Sequence, residues 1–357
     1  MTAEPVTRRA GIVGTGLIGG SLGLALRARG WRVTGNDADP VTAQRALELG
    51  AVDAVGLDDQ AEVTFVAAPV RAITAEVERL LMTTSGVVTD VGSVKATMVA
   101  AVTDPRFVGG HPMAGSEQLG VEGADADLFE GAVWVLTPVE HTDPAAYALV
   151  RSIVSSLGAE VVALAPERHD ALVAVVSHVP HLTAAALMGM AGERAEEHAA
   201  LLRLAAGGFR DMTRIAAGSP AMWPDICQEN RTAIVEVIER LQDTLSSLRE
   251  AVAYGRRDEL LSRLTEAQAA RLNLPGRISR PAEVAEVRVP VPDRPGVLAE
   301  VTTLASELAV NIADLEIAHS SEGDAGVLIL LVDIATAEQF RAGLVERGYR
   351  PAVQALG

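Results

Sequence analysis

A histidine set between glycines offers the clearest chemistry in this chain. His111 lies in the sequence Gly109-Gly110-His111-Pro112-Met113-Ala114-Gly115, after a short apolar segment. An imidazole titrates near neutral pH, so it can accept a proton from a substrate hydroxyl. Ser93, in Asp90-Val91-Gly92-Ser93-Val94-Lys95, can hold such an imidazole in one tautomer through its hydroxyl. The pair predicts a proton-transfer site, with two alternatives left open: Ser93 as a helix N-cap and His111 as a hydrogen-bonded loop residue.

The elements around these residues predict a parallel sheet. Short apolar strands alternate with helical segments through the first 164 residues, which is typical of an α/β domain. The predicted strands are 9–13, 31–36, 63–68, 86–91, 107–110, 132–137 and 159–163. Open parallel sheets bind ligands beyond the carboxyl ends of their strands. Ser93, and His111 in the exit loop of its strand, should therefore face one crevice.

A glycine-rich turn near the N-terminus predicts a dinucleotide site in the same domain. The order of strand, Gly14-Thr15-Gly16-Leu17-Ile18-Gly19 and helix places Gly14 at a tight turn, Gly16 against a pyrophosphate and Gly19 between helix and strand. Asp37 ends the second strand, where a carboxylate binds ribose hydroxyls and repels a 2′-phosphate. The predicted cofactor is NAD, with NADP less favoured, and the predicted binding residues are Gly14, Gly16, Leu17, Ile18, Gly19 and Asp37. The alternative is a simple glycine turn with Asp37 as a helix cap.

Composition narrows the function class. The 357 residues suffice for several domains, and the formal charge of −17 argues against binding a nucleic-acid backbone. The single cysteine, Cys227, cannot form an intrachain disulfide, and residues 1–5 lack the pattern of a signal peptide. No apolar run reaches the roughly 20 uninterrupted residues of a membrane span. We therefore expect a soluble cytoplasmic protein with no nucleic-acid or membrane partner.

The rest of the chain predicts two further domains. Residues 165–275 have helical periodicity, with about five helices that are expected to complete their core against a second subunit, as a homodimer. The first predicted domain therefore comprises residues 1–164 and the second comprises residues 165–275. Residues 276–284 look like the linker that follows them. Residues 285–357 show the order β-α-β-β-α-β of a ferredoxin-like fold. The predicted fold is thus a Rossmann-type, mostly parallel sheet, an all-helical domain and a small α+β domain.

The helical domain contributes further candidate side chains. His178 and His181 lie three residues apart on one helix face, but no third ligand is apparent, so a metal site is not predicted. We expect one of the two histidines to face the cleft and the other to support packing. Arg210 and Arg214 follow a glycine pair, and a guanidinium matches a carboxylate in a bidentate fork. Either arginine could instead form a surface ion pair.

Five motifs of the chain resemble, in order and spacing, those of the prephenate dehydrogenase family. They occupy residues 14–21, 90–95, 110–115, 177–181 and 211–216, and the resemblance covers residues 8–273. Members of this family oxidise prephenate, or its amino counterpart arogenate, with NAD(P) and release carbon dioxide. The products are 4-hydroxyphenylpyruvate or tyrosine. The resemblance therefore implies an NAD-dependent dehydrogenase of tyrosine biosynthesis.

The same resemblance implies roles for individual residues. His111 matches the residue that deprotonates the ring hydroxyl of the substrate, and Ser93 matches its partner beside the nicotinamide. Arg214 matches the arginine that binds the substrate carboxylate, and His181 matches a histidine of the same pocket. Further substrate-facing positions are Ser116, Glu117 and Trp223. Packing in the core is an equally good interpretation of the tryptophan.

The C-terminal segment resembles an ACT domain, a module that often binds amino acids between paired copies. The resemblance rests on Asp293-Arg294-Pro295-Gly296-Val297-Leu298 and on Asn311. It implies a regulatory site with Asp293, Gly296 and Asn311, for which tyrosine is the predicted feedback ligand. An assembly module with an empty site is the alternative.

Three other functions compete with this interpretation. Arogenate in place of prephenate is the first, and nothing in the sequence decides between the two substrates. A 6-phosphogluconate or 3-hydroxyacid dehydrogenase would need a lysine on a long helix after the nucleotide domain, whereas Lys95 is the only lysine and lies within it. A non-catalytic sensor of NAD and an amino acid is the third.

Overall fold

The computed structural model describes residues 7–115, 118–195, 205–273, 284–292, 294–319 and 325–355. By their contacts the residues form two compact units. The first unit comprises Met1–Met190 and Met212–Gln242, and the second comprises Ala191–Asp211 and Asp243–Gly357.

The first unit is built on a twisted sheet of eight strands, counted over the described residues, in the order β3-β2-β1-β4-β5-β6-β7-β8. Neighbouring strands are parallel except β6 and β7. The elements are β1 (Arg9–Val13), α1 (Leu17–Ala28), β2 (Arg32–Asn36), α2 (Pro40–Glu48), β3 (Ala54–Val55), β4 (Val63–Val66), α3 (Val70–Thr83), β5 (Val87–Asp90), α4 (Ala96–Ala101), β6 (Phe107–Pro112), β7 (Val133–Thr137), α5 (Pro144–Ser156) and β8 (Glu160–Ala163).

Both faces of this sheet are buried. Ile12 and Phe65 pack into the cluster under α1 and α5, whereas their neighbours Val13 and Val66 pack on the opposite face with residues of α3 and α4. Successive side chains of a strand point to opposite faces, so a sheet covered on both sides needs apolar residues at every position. This requirement explains the unbroken apolar runs in the sequence.

The predicted α/β alternation is confirmed, with two differences. The two-residue strand β3 was not predicted, because it is too short to show a pattern. Strand β6 runs to Pro112, so His111 lies within a strand and not in the exit loop. The strand continues because β7 pairs with it in antiparallel direction, with His111 opposite Val135.

One long helical segment follows the sheet and contains a wider turn. Helix α6 (Pro166–Val173) continues through a π-helical turn, Ala174–His178, into α7 (Val179–Ala195). Pro180 has no N–H to donate, and a π turn absorbs such a defect without ending the helix. By length and hydropathy, Pro166–Glu193 would also suit a membrane span. Its buried Asp170 instead belongs to the polar cluster described below.

The remaining helices are α8 (Gly207–Thr213), α9 (Trp223–Glu229), α10 (Arg231–Ala253) and α11 (Arg257–Leu272). A small core within the first unit joins α7, α9 and the start of α10 through Val179, Cys227 and Ile234. Cys227 thus packs as an apolar residue, as expected.

The C-terminal residues of the second unit form an antiparallel sheet with the order β10-β11-β9-β12. The elements are β9 (Val284–Pro292), α12 (Val297–Glu307), β10 (Ile312–His319), β11 (Ala325–Asp333), α13 (Ile334–Glu346) and β12 (Ala352–Ala355). Alternate strand residues, such as Val287 and Leu330, pack with Val301 and Phe340 of the helices. The predicted β-α-β-β-α-β order is therefore present.

Candidate active site

The turn between β1 and α1 has the geometry of a dinucleotide cradle. Gly14 has φ +88°, and a Cβ there would lie 2.3 Å from the carbonyl oxygen of Ala67. A Cβ on Gly19 would lie 1.8 Å from the carbonyl oxygen of Gly14, so the helix can approach the strand only with glycine. At Gly16 a Cβ would meet no heavy atom of the described residues within 4 Å. The loop is thus open where a pyrophosphate would approach, beside the first helical residues Leu17 and Ile18.

Asp37 is fixed against this turn. Its Oδ2 accepts hydrogen bonds from the backbone N (2.7 Å) and the Oγ1 (3.2 Å) of Thr15. The cap of α2 is Asp39, whose side chain accepts from Val41 N, so Asp37 is not the helix cap. A carboxylate held beside the glycine turn fits adenosine ribose hydroxyls and opposes a 2′-phosphate. The residues present therefore fit NAD.

Gly110 brings His111 close to β5. A Cβ on Gly110 would lie 2.7 Å from the carbonyl oxygen of Asp90. The Gly110 backbone N–H donates to Asp90 Oδ1 at 3.0 Å. His111 is partly exposed, and its Nδ1 lies 2.8 Å from Nε2 of His169 on α6. Strand β6 thus holds the imidazole at the carboxyl end of β5.

The structure does not join Ser93 to His111. Ser93 is half-buried after β5, and within the described part of the chain no hydrogen bond links the two side chains. His169 is the observed hydrogen-bond partner, because α6 carries it into the position that we expected the serine to fill. Ser93 is not the N-cap of α4 either, since that position is Lys95.

A buried ion pair supports the loop between β5 and α4. Lys95 and Asp90 have fully buried side chains, and Lys95 Nζ bonds to Asp90 Oδ2. The same oxygen accepts from the N–H of Gly92 at 2.8 Å. Burial lowers the pKa of Lys95, against the raising effect of Asp90. Lys95 therefore stabilises the loop that carries Ser93.

The surroundings keep His111 neutral. Burial lowers the pKa of His111 well below 6.5, and the neighbouring basic groups His169, Lys95 and His178 lower it further. A neutral imidazole has one nitrogen with a free lone pair, which is what a general base needs.

His178 and His181 are both buried, and which of them faces the cleft stays a prediction. His178 is buried, and its Nδ1 lies 3.1 Å from Nδ2 of Asn230. Burial lowers the pKa of His178 to about 4. His181 stacks on Trp223, with ring centroids 3.6 Å apart and planes at 13°. Among the described residues no group of three metal-ligating side chains forms.

Of the other predicted substrate-binding residues, the structure describes Trp223 and Arg214. Trp223 is half-buried and stacks on His181, so packing is one of its roles. Arg214 is exposed in the 3-10 turn Arg214–Ala217. A Cβ on Gly218, which follows this turn, would lie 3.7 Å from His181 Cε1. Ser116 and Glu117 lie outside the described residues.

Sequence reasoning missed three polar residues of this cluster. His169 contacts His111 directly. Asp170 accepts a hydrogen bond from His169 Nδ1 at 2.7 Å, and Asn230 Nδ2 donates to the backbone oxygen of Asp170 at 2.8 Å. The local signal was an acidic residue next to a histidine in α6, just before the apolar run 171–176.

The chain matches two family models in succession. The model "Prephenate dehydrogenase, nucleotide-binding domain" matches residues 22–163, and "Prephenate dehydrogenase, dimerization domain" matches residues 165–266. A curated prephenate dehydrogenase from Bacillus subtilis is 35% identical over 337 residues, which is 89% of this chain and 90% of that protein. The chain belongs to the prephenate dehydrogenase family.

Two solved structures are similar to the chain at the same level of identity. Prephenate dehydrogenase from A. aeolicus, in complex with hydroxyphenyl propionate and NAD+, has a TM-score of 0.71 at 33% identity and covers 77% of this chain and 100% of its own. Arogenate dehydrogenase from Synechocystis has a TM-score of 0.64 at 33% identity, with 74% and 98% covered. The predicted NAD-dependent oxidoreductase, with a Rossmann-like domain followed by a helical dimerisation domain, is confirmed.

Proposed function

We propose that this protein oxidises and decarboxylates prephenate with NAD, giving 4-hydroxyphenylpyruvate for tyrosine biosynthesis in the cytoplasm. The observation that carries the proposal is the neutral, partly exposed imidazole of His111 on the sheet that also forms the dinucleotide cradle. A non-catalytic sensor would not need a histidine with a lowered pKa beside a cofactor site.

The reaction asks three things of the protein. His111 accepts the proton of the ring hydroxyl as the hydride leaves the same carbon. NAD would supply the hydride acceptor. The residues that would hold it are Gly14, Gly16, Leu17, Ile18, Gly19 and Asp37. The resulting ring ketone is conjugated to the quaternary carbon, so it draws the electron pair that carbon dioxide leaves behind. Loss of carbon dioxide makes the ring aromatic, and the ring oxygen takes back the proton held by His111. Aromatisation makes the overall step effectively irreversible.

The proposed substrate-binding residues lie mainly in the helical segments that follow the first sheet. Arg214 is proposed to hold a substrate carboxylate through a bidentate, charge-assisted pair. The stacked rings of His181 and Trp223 offer a flat wall for the substrate ring. Ser93, from the β5–α4 loop, is proposed to lie beside the nicotinamide. Ser116 and Glu117 are proposed to face the substrate side chain.

The choice between prephenate and arogenate needs a direct assay. The two solved relatives named for these substrates are equally identical to this chain, so identity does not separate them. The test is to measure NADH formation and carbon dioxide release with each substrate, using NAD and then NADP. We expect the highest kcat/KM with prephenate and NAD. A preference for arogenate would correct the substrate, and no turnover with either would refute the proposal.

Dimer formation is part of the proposal, because the helical segments of each unit leave large apolar side chains exposed. Examples are Val176, Met190 and Val235 in the first unit, and Leu245, Leu261 and Leu264 in the second. Large apolar side chains exposed on helices are consistent with an interaction surface. Size-exclusion chromatography with light scattering should give a dimer, and a monomer at working concentration would overturn this part.

We also propose that residues 285–357 are an ACT-like regulatory domain. Residues 1–164 are the proposed nucleotide domain, residues 165–275 are the helical domain and residues 276–284 are the linker. Gly296 begins α12 with φ +93°, and Asn311 lies just beyond its other end. An 11-residue helix spans about 16 Å, so one copy keeps these two residues apart. A ligand that contacts both needs two copies. Asp293 lies outside the described residues.

Tyrosine is the proposed ligand of this domain, since it is the end product of the pathway. A cavity of about 580 Å³ at the edge of the sheet is lined by Arg294, Arg347 and Tyr349, together with Glu300, and its arginines suit a carboxylate. Calorimetry should detect tyrosine binding, and saturating tyrosine should lower the rate. Unchanged kinetics together with no binding would remove the regulatory role and favour an assembly module.

A further inference from the structure

We infer that Asp170 and His169 act as positioning residues that hold His111 in the tautomer with a free Nε2. The three side chains form a carboxylate–imidazole–imidazole relay from α6 to β6. This inference rests on the proposed function for its catalytic meaning, but the tautomer can be tested without substrate.

Hydrogen-bond direction follows from the donor inventory. Asp170 Oδ1 lies 2.7 Å from His169 Nδ1, and an ionised carboxylate only accepts, so His169 carries its proton on Nδ1. The Nε2 of a neutral His169 then has only a lone pair. Since it lies 2.8 Å from His111 Nδ1, His111 must donate from Nδ1. The remaining nitrogen of His111, Nε2, is left with its lone pair for the proton of a substrate.

The carboxylate at the far end of the relay is held in place by backbone groups. Asp170 Oδ1 accepts from the N–H of Lys95, and Oδ2 accepts from the N–H of Ala96, each at 2.8 Å. His169 is fully buried and Asp170 is 5% exposed. These bonds hold the carboxylate in its orientation toward His169. Asp170 thereby ties α6 to the first turn of α4.

The relay also stabilises the product of proton transfer. When Nε2 of His111 takes a proton, the ring becomes positive and its Nδ1–H donates more strongly to His169. The other charged or titratable groups facing this ring are Lys95, paired with Asp90, and His178. They disfavour a positive ring, so the relay offsets them. A carboxylate orients the catalytic histidine of serine proteases in the same way, and its loss yields the wrong tautomer.

The test is ¹⁵N NMR of the histidine side chains, with the His111 signal assigned by its loss in His111→Asn. Only seven histidines are present, so the spectrum is tractable. We expect the proton of His111 on Nδ1 in the parent protein near neutral pH. A proton on Nε2 would overturn the relay, whether or not the protein turns over prephenate.

Two variants connect the tautomer to the rate. His169→Ala removes the acceptor, so the Nδ1–H form should no longer dominate, and kcat should fall about 10- to 100-fold with little change in KM or NAD affinity. His169→Gln offers an amide oxygen to His111 and should recover part of the rate. His141→Gln, at an exposed histidine, is the matched control and should behave like the parent.

The outcomes separate the relay from the proposed reaction. A parent protein with the expected tautomer but no turnover with prephenate would refute the proposed function and leave the relay standing. Unchanged kcat in His169→Ala, or equal losses in the alanine and glutamine variants, would overturn the positioning role even if prephenate is the substrate.

Discussion

Charged groups are used in opposite ways at the two sheets of this molecule. Around His111 the ion pair Lys95–Asp90 is completely buried, and the nearby carboxylate of Asp170 is bonded to backbone N–H groups. Beside the C-terminal sheet, the pair of Arg294 in the loop after β9 and Glu300 in α12 is about half exposed on both sides. Buried charges must be paired because desolvation is costly, whereas exposed pairs contribute little. Charge at the first sheet should therefore govern folding and catalysis, and charge at the second should not.

The largest expected effect comes from breaking the buried pair. Lys95→Met would leave Asp90 charged and unpaired, and such changes cost about 3–5 kcal/mol of unfolding free energy. Urea denaturation should show a large drop in the midpoint. The double variant Lys95→Met with Asp90→Asn removes the orphan charge and should recover part of the loss. An unchanged midpoint in Lys95→Met would contradict the role given to this pair.

A large but different effect is expected at Arg214, which is exposed and is proposed to bind substrate. Arg214→Ala should raise the KM for prephenate about 10- to 100-fold, since charge-assisted hydrogen bonds contribute about 1.5–3 kcal/mol. Stability should change little. Steady-state kinetics check this, with Arg210→Ala as the matched control. Equal KM values in the two variants would remove Arg214 from the carboxylate site.

The pH dependence should reflect the buried position of His111. Its pKa is lowered well below 6.5, so the neutral, proton-accepting form persists as the pH falls through that value. We expect kcat/KM to stay level from neutral pH to below 6.5 and then to decline as His111 becomes protonated. A profile that already declines above pH 6.5 would show that the base titrates as an exposed histidine does.

The smallest effect is expected at the C-terminal sheet. Glu300 accepts from Tyr349 Oη at 2.6 Å and pairs with Arg294, and these contacts lower its pKa. Because the group is exposed, Glu300→Gln should leave the urea midpoint and kcat almost unchanged. A loss comparable to that of Lys95→Met would erase the contrast between the two sheets.

Local sequence patterns predicted more of the fold than of the candidate active site. Periodicity located the strands of both sheets, and spacing located the glycine turn with Asp37. The sequence did not predict the hydrogen-bond partner of His111, because His169 is 58 residues away and contacts it only through tertiary packing. Asn230 reaches His178 across 52 residues for the same reason. The π turn before Pro180, through which the helix continues, had no signal in the sequence.

Kinetics of His111→Asn with prephenate and NAD test the central claim most directly. Asparagine cannot act as a general base at this position, so kcat should fall at least about a hundredfold, while NAD affinity measured by calorimetry stays near that of the parent. Turnover close to the parent value would contradict the account, because His111 would then not be the group that takes the proton.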